Sequence, residues 1–121
     1  MKENLSGLDF ETFVFEAPQE LSKNIESNLS LRMKYPTETE KFYATEEFIH
    51  DILDMVDQKL EETEQPPQEI LKAMINSKLL VPILKSLEHP NPDINIAAVN
   101  VMHSLLIDMS EEIEQAENAQ Q

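Results

Sequence analysis

The chain has 121 residues with one Gly, no Cys and no Trp, and 24 acidic against 9 basic groups give a formal charge of −15. Without Cys there is no disulfide framework, thiolate zinc site or cysteine nucleophile, and the single Gly7 argues against Gly-rich phosphate-cradling loops and for helices. The charge repels nucleic acid and anionic membranes and favours basic partners; with neither a signal-peptide core nor a run of about 18 apolar residues, a soluble cytoplasmic protein is expected.

Residues 1–36 read as an N-terminal arm, partly extended or weakly helical. "LDFETFVFEAP" mixes Phe10, Phe13, Val14 and Phe15 with acids in partial alternation, which leaves a short strand and an extended docking segment both open. Leu21, Ile25, Leu29 and Met33 then recur every fourth residue, the mark of a weak amphipathic helix ending before Pro36. Thr37-x-x-Glu40 has capping-box spacing. Phe48, Ile49, Ile52, Leu53, Val56 and Leu60 follow on one face, predicting a helix over about 38–63, interrupted near Ala44-Thr45.

"ETEQPP" at 62–67 is a linker by composition, and Pro67 suits the first turn of the next helix. Ile70, Leu71, Met74 and Ile75 define a short helix, and Asn76-Ser77 a turn. An apolar run from Leu79 to Leu87 tolerates Pro82 in its first turn. At the next corner Asn91 is a good N-cap, Pro92 a good first helical residue, and Asp93 complements the positive helix end. From Ile94 to about Met109 apolar residues cover most of the circumference, and residues 110–121 read as an acidic flexible tail. The whole is all-α: a small helical bundle or short α-solenoid-like unit over 37–109 with an irregular N-terminal arm.

Residues 70–106, "ILKAMINSKLLVPILKSLEHPNPDINIAAVNVMHSLL", resemble one repeat of the armadillo/HEAT α-solenoid class, the likeness spanning about 68–109. It rests on Val81-Pro82, Leu84, Leu87, Asn91-Pro92-Asp93-Ile94, Ala97-Ala98, Met102 and Leu105. The resemblance implies a three-helix unit that buries its faces against neighbours, since about three stacked repeats are normally needed for stability. Asn100 and Ser104 align with the Trp and Asn that peptide-binding armadillo repeats set one turn apart, so the aromatic slot is absent. Asn95 stands where HEAT repeats carry a basic residue.

Candidate chemistry is sparse. Glu47-x-x-His50 has the spacing of one half of a di-iron site but lacks the second pair and the extra carboxylates. Asp51, Asp54 and Asp57 lack the spacing and Gly of a calcium loop. His89 and Asp93 flank a turn with no activated nucleophile beside them, and the plain reading puts His89 as a favourable cation at a helix end. No catalytic residue, metal or cofactor is expected. Net charge by segment is −4 over 1–40, −6 over 41–65, −1 over 66–109 and −4 over 110–121. The acid therefore flanks a near-neutral apolar block. The expected function is a non-enzymatic protein-interaction module, an adaptor, scaffold or assembly chaperone with an apolar helical groove and an acidic face. Its candidate docking residues are Glu47, Asp51, Asp54, Asp57, Glu61, Asn100, His103 and Ser104. The expected partner is another protein, basic in character, or a second copy of the chain, and not nucleic acid or membrane. The competing reading is an acidic nucleic-acid mimic that blocks a DNA-binding protein.

Overall fold

The computed structural model describes residue 5 and residues 7–119, and in them every regular element is helical. Helix α1 spans Phe10–Lys34, a 3₁₀ turn covers Thr39–Lys41, α2 spans Tyr43–Glu62, α3 Pro67–Asn76, α4 Leu80–Ser86 and α5 Pro92–Ala119.

The N-terminal third is more regular than its sequence suggests. Asp9 caps α1, its side chain accepting from the Thr12 N–H at 2.9 Å, so the helix begins where a strand or extended chain was expected. Phe13, Val14, Ala17, Leu21 and Ile25 form the buried stripe, while Phe15 points outward at 63% exposure. The apparent alternation of this stretch is the two sides of a helix. Pro18 lies inside α1 and is buried; it removes the N–H that the Val14 carbonyl would have accepted. The every-fourth-residue pattern of Leu21, Ile25, Leu29 and Met33 also fails at its end. A step of four overshoots the 3.6-residue turn by about 40°, so after Ile25 the inward positions are Asn28 and Arg32, and Met33 is 85% exposed.

Thr37-x-x-Glu40 does not cap α2. Both residues are exposed in the connection, and the N-cap of α2 is Phe42, with no side-chain cap bond. The break falls at Phe42, after the 3₁₀ turn, two residues before the expected interruption. Further on, Pro67 takes the first turn of α3, and Pro82 lies buried in the first turn of α4. Ile75, expected on the apolar face of α3, is 55% exposed. Helix α5 runs through Ala119, past the expected start of the tail at 110. Gln120 and Gln121 lie outside the described residues.

Two pairings fix the layout. Asn91 meets Glu46 at the start of α5 and α2, and Ser104 meets Asp57 further along both, so these two helices run parallel. Lys59 reaches the Leu8 carbonyl while Arg32 reaches Glu46, so α1 is antiparallel to α2. Helices α2 and α5 share the most extensive contact, α1 packs on α2, and α3 and α4 close the remaining side. One apolar cluster joins them all, from Phe13 and Leu21 through Ile49, Leu53 and Val56 to Met74, Ile83, Ala98, Val101 and Leu105.

The α3–α4 corner is a Schellman turn. The Leu79 N–H donates to the Met74 carbonyl at 3.0 Å and the Lys78 N–H to the Ile75 carbonyl at 3.1 Å, with Leu79 and Met74 both fully buried. Lys78 sits in the left-handed region at φ 69°, where a Cβ is disfavoured. Lys78→Gly relieves that clash, and the expected gain is about 1 kcal/mol of unfolding free energy in a denaturant titration.

Candidate functional site

The molecule carries two polar constellations, one buried and one exposed. The buried one centres on Glu46 in the first turn of α2. Arg32 grips its carboxylate with two bonds, Nε to Oε2 at 2.6 Å and Nη2 to Oε1 at 3.0 Å, and stacks its guanidinium over the Phe42 ring at 4.7 Å. Asn28 donates to Glu46 Oε2 at 3.0 Å, and Asn91 donates to Oε1 at 2.6 Å. Asn28 also reaches the Phe42 carbonyl and Thr45 Oγ1.

His89 completes this network. The Asn91 backbone N–H donates to His89 Nδ1 at 2.9 Å, so that nitrogen is the acceptor. The ring proton then sits on Nε2, which donates to Asn28 Oδ1 at 2.6 Å. Burial pushes the His89 pKa down; the Glu46 charge pulls the other way, and Arg32 pushes it further down. The net direction is downward, so His89 is neutral here and not the helix-end cation that its position suggests. Burial raises the Glu46 pKa, but the bonds from Arg32, Asn28 and Asn91, with the Arg32 charge, outweigh it and hold the carboxyl below 4.5. Asn91 does cap α5, its Oδ1 accepting from the Asp93 N–H at 2.9 Å. Asn95 donates to the carbonyls of Ser86, Leu87 and His89 and ties off the end of α4. The polar corner at 87–95 is therefore a structural joint that ties the end of α4 and the start of α5 to α1 and α2.

Sequence reasoning missed Asn28, Arg32 and Glu46. A signal was present: Asn28 and Arg32 continue the 3.6-residue register of Leu21 and Ile25, and Glu46 stands three residues before buried Ile49. Polar residues in phase with a core stripe mark a buried network.

The exposed constellation lies on α2 and α5. Glu47, Asp54 and Glu61 are exposed, and Asp51 and Asp57 are half-buried. His50, Asp54, Asp57 and Glu61 recur at helical spacing and share one strip of α2. On α5, Asn100 and His103 are exposed and Ser104 is half-buried. The structure joins the two groups directly: Ser104 Oγ donates to Asp57 Oδ1 at 2.7 Å. Helix α5 buries Ile94, Ala97, Ala98, Val101 and Leu105 on one side, chiefly against α2, and exposes Ile96, Val99, Leu106 and Ile107 on the other. At 100° per residue those two sets lie about half a turn apart, with Asn100 and Ser104 between the outer ridge and the α2 acids. The surface thus runs from an apolar ridge, across a polar step, to a carboxylate strip.

His50 pairs with Asp54, Nδ1 to Oδ2 at 3.3 Å, and not with Glu47. His50, Asp51 and Asp54 offer ligand atoms within 4.8 Å of one another, which their places on neighbouring positions of α2 account for.

A three-helix unit of α3, α4 and α5, with its Ala97-Ala98 pair buried and its third helix bare on the far side, is the geometry of a solenoid repeat. A family model described as catenin-beta-like, Arm-motif containing nuclear, matches residues 12–121. The chain belongs to this family. The match takes in α1 and α2 as well as the repeat-like unit, so all five helices are part of the family architecture. Searches among characterised proteins and among solved structures gave no match. Among the described residues, no helix of this Arm-motif protein is long and apolar enough to cross a membrane.

Two substitutions read out the buried network. Glu46→Ala leaves Arg32 without its bidentate partner, and the expected loss is about 3 kcal/mol of stability in a chemical melt. Stability also depends on pH through His89. Its folded pKa lies below 6.5, so the unfolded chain takes up the proton first and acid drains stability from about pH 6.5 downward. Glu46 adds a second loss below 4.5, because its folded pKa is also depressed. The melting temperature should fall between pH 7 and 5, and His89→Gln should flatten that segment while leaving the lower one.

Proposed function

We propose that this Arm-motif protein is a non-enzymatic interaction module that docks a basic, amphipathic helical segment of another protein on the α2/α5 face. The observation that carries the reading is the Ser104–Asp57 bond, which sets an uncovered apolar ridge beside a carboxylate strip. Ile96, Val99, Leu106 and Ile107 would take the partner's apolar residues, and Asp54, Asp57 and Glu61 its Lys or Arg. The net charge of −15 would speed the encounter and give it a steep salt dependence. An adaptor, scaffold or assembly-chaperone role is the setting in which such a surface is useful. The family description supports a nuclear setting in place of the cytoplasmic one that the sequence suggested.

A synthetic Lys/Arg-rich amphipathic peptide with Leu at helical spacing is the probe, read by fluorescence anisotropy. Val99→Asp and Leu106→Asp should each weaken binding by about tenfold, or ~1.4 kcal/mol. Asp54→Asn with Glu61→Gln should weaken it at low salt and matter less at high salt. Binding that ignores the ridge variants and responds only to the carboxylates would favour the nucleic-acid-mimic reading instead.

A further inference from the structure

Thr37-x-x-Glu40 is left without a role once the capping-box reading fails. Thr37 is exposed, lies outside both α1 and the 3₁₀ turn, and its hydroxyl makes no hydrogen bond among the described residues. Glu38 and Glu40 follow it at the next and third positions, and both are exposed. We propose that Thr37 is a phosphorylation site for an acidophilic serine/threonine kinase.

Such kinases need an acceptor hydroxyl on a segment that can be drawn out into their cleft, with carboxylates just downstream to meet their own basic residues. Other hydroxyls fail one requirement or more. Those of Thr45, Ser77, Ser86 and Ser104 are held in hydrogen bonds. Thr39 sits in the 3₁₀ turn with Phe42 at its third position, and Ser110 lies within α5 with Ile113 at its own. Thr63 is half-buried and accepts from the Gln65 N–H. Among the described residues Thr37 alone combines exposure, a non-helical backbone and acids at both positions.

The surroundings give the phosphate an effect. Lys34 and Lys41 approach the Tyr35 ring, their Nζ atoms 5.5 and 5.3 Å from its centre. Arg32 is already paired with Glu46, and Lys34 and Lys41 balance Glu38 and Glu40, so this corner is neutral in a chain of −15. Transfer of the ATP γ-phosphoryl to Thr37 Oγ breaks the γ-phosphate bridge bond. It releases ADP and a proton, and it adds about −1.5 to −2 of charge. The corner turns from neutral to anionic.

The test uses the full chain with ATP and a casein-kinase-type acidophilic enzyme, followed by mass-spectrometric mapping. The expected result is a phosphate on Thr37 that Thr37→Ala abolishes. Incorporation should also slow about tenfold in Glu40→Gln, the loss of one charge-assisted contact to the kinase. Circular dichroism of both variants should match the parent, since neither side chain is buried. Incorporation at Thr39 or Ser110 with Thr37 unmodified, no incorporation at all, or a rate indifferent to Glu40→Gln would overturn the proposal.

Discussion

The register of α1, α2 and α5 traces back to one buried carboxylate. Glu46 draws Arg32 and Asn28 from the end of α1 and Asn91 from the corner before α5 onto a single pair of oxygens. Burying a charge is costly unless it is paired and hydrogen-bonded, and Glu46 has four donor contacts to meet that cost. Apolar contacts alone allow one helix to slide past another with little change in buried area. A bidentate Arg–carboxylate pair does not, because its geometry is fixed in direction as well as distance. The network therefore sets the register of α1, α2 and α5, and the apolar cluster supplies the bulk of the driving force.

His89 shows how the joint is closed. It is neutral because of where it sits, and its tautomer is dictated by a backbone donor on one side and an amide oxygen on the other. That arrangement binds the α4–α5 turn to α1 across 61 residues of sequence. The α2/α5 face then inherits its geometry from this end: Ser104 meets Asp57 because Asn91 has already met Glu46, at matching distances along two parallel helices.

Much of this was legible in the sequence where the pattern was dense. The α2 face, the Pro67 and Pro82 positions and the Asn91-Pro92 corner follow from local rules of periodicity and capping, and those rules held. The failures share a cause. Phe10–Phe15 reads as alternating because three aromatics fall on both sides of a helix, and the Asp9 cap is one residue in an otherwise ambiguous run. Thr37 and Glu40 have cap spacing, but the chain enters α2 through Phe42, and spacing alone cannot tell which residue will start a helix. Asn28, Arg32 and Glu46 were passed over, because the bonds that join them span 14 to 18 residues and leave only a faint local pattern. The acidic strip was visible as composition. Its junction with α5 was not, because the pairing of Asp57 with Ser104 spans 47 residues and depends on the register set elsewhere.

The parallel course of α2 and α5 has an electrical consequence. Each helix carries a partial positive charge at its start and a partial negative charge at its end, and parallel neighbours reinforce each other. Antiparallel α1 offsets one of the two and leaves the other unbalanced. Glu46 lies at the shared positive pole, where an anion is welcome. Glu61 and Glu62 lie at the close of α2, toward the negative pole, where they deepen the field. The α2/α5 face is therefore not a uniform strip of charge but a gradient, and a cation moving along it would feel a pull toward one end.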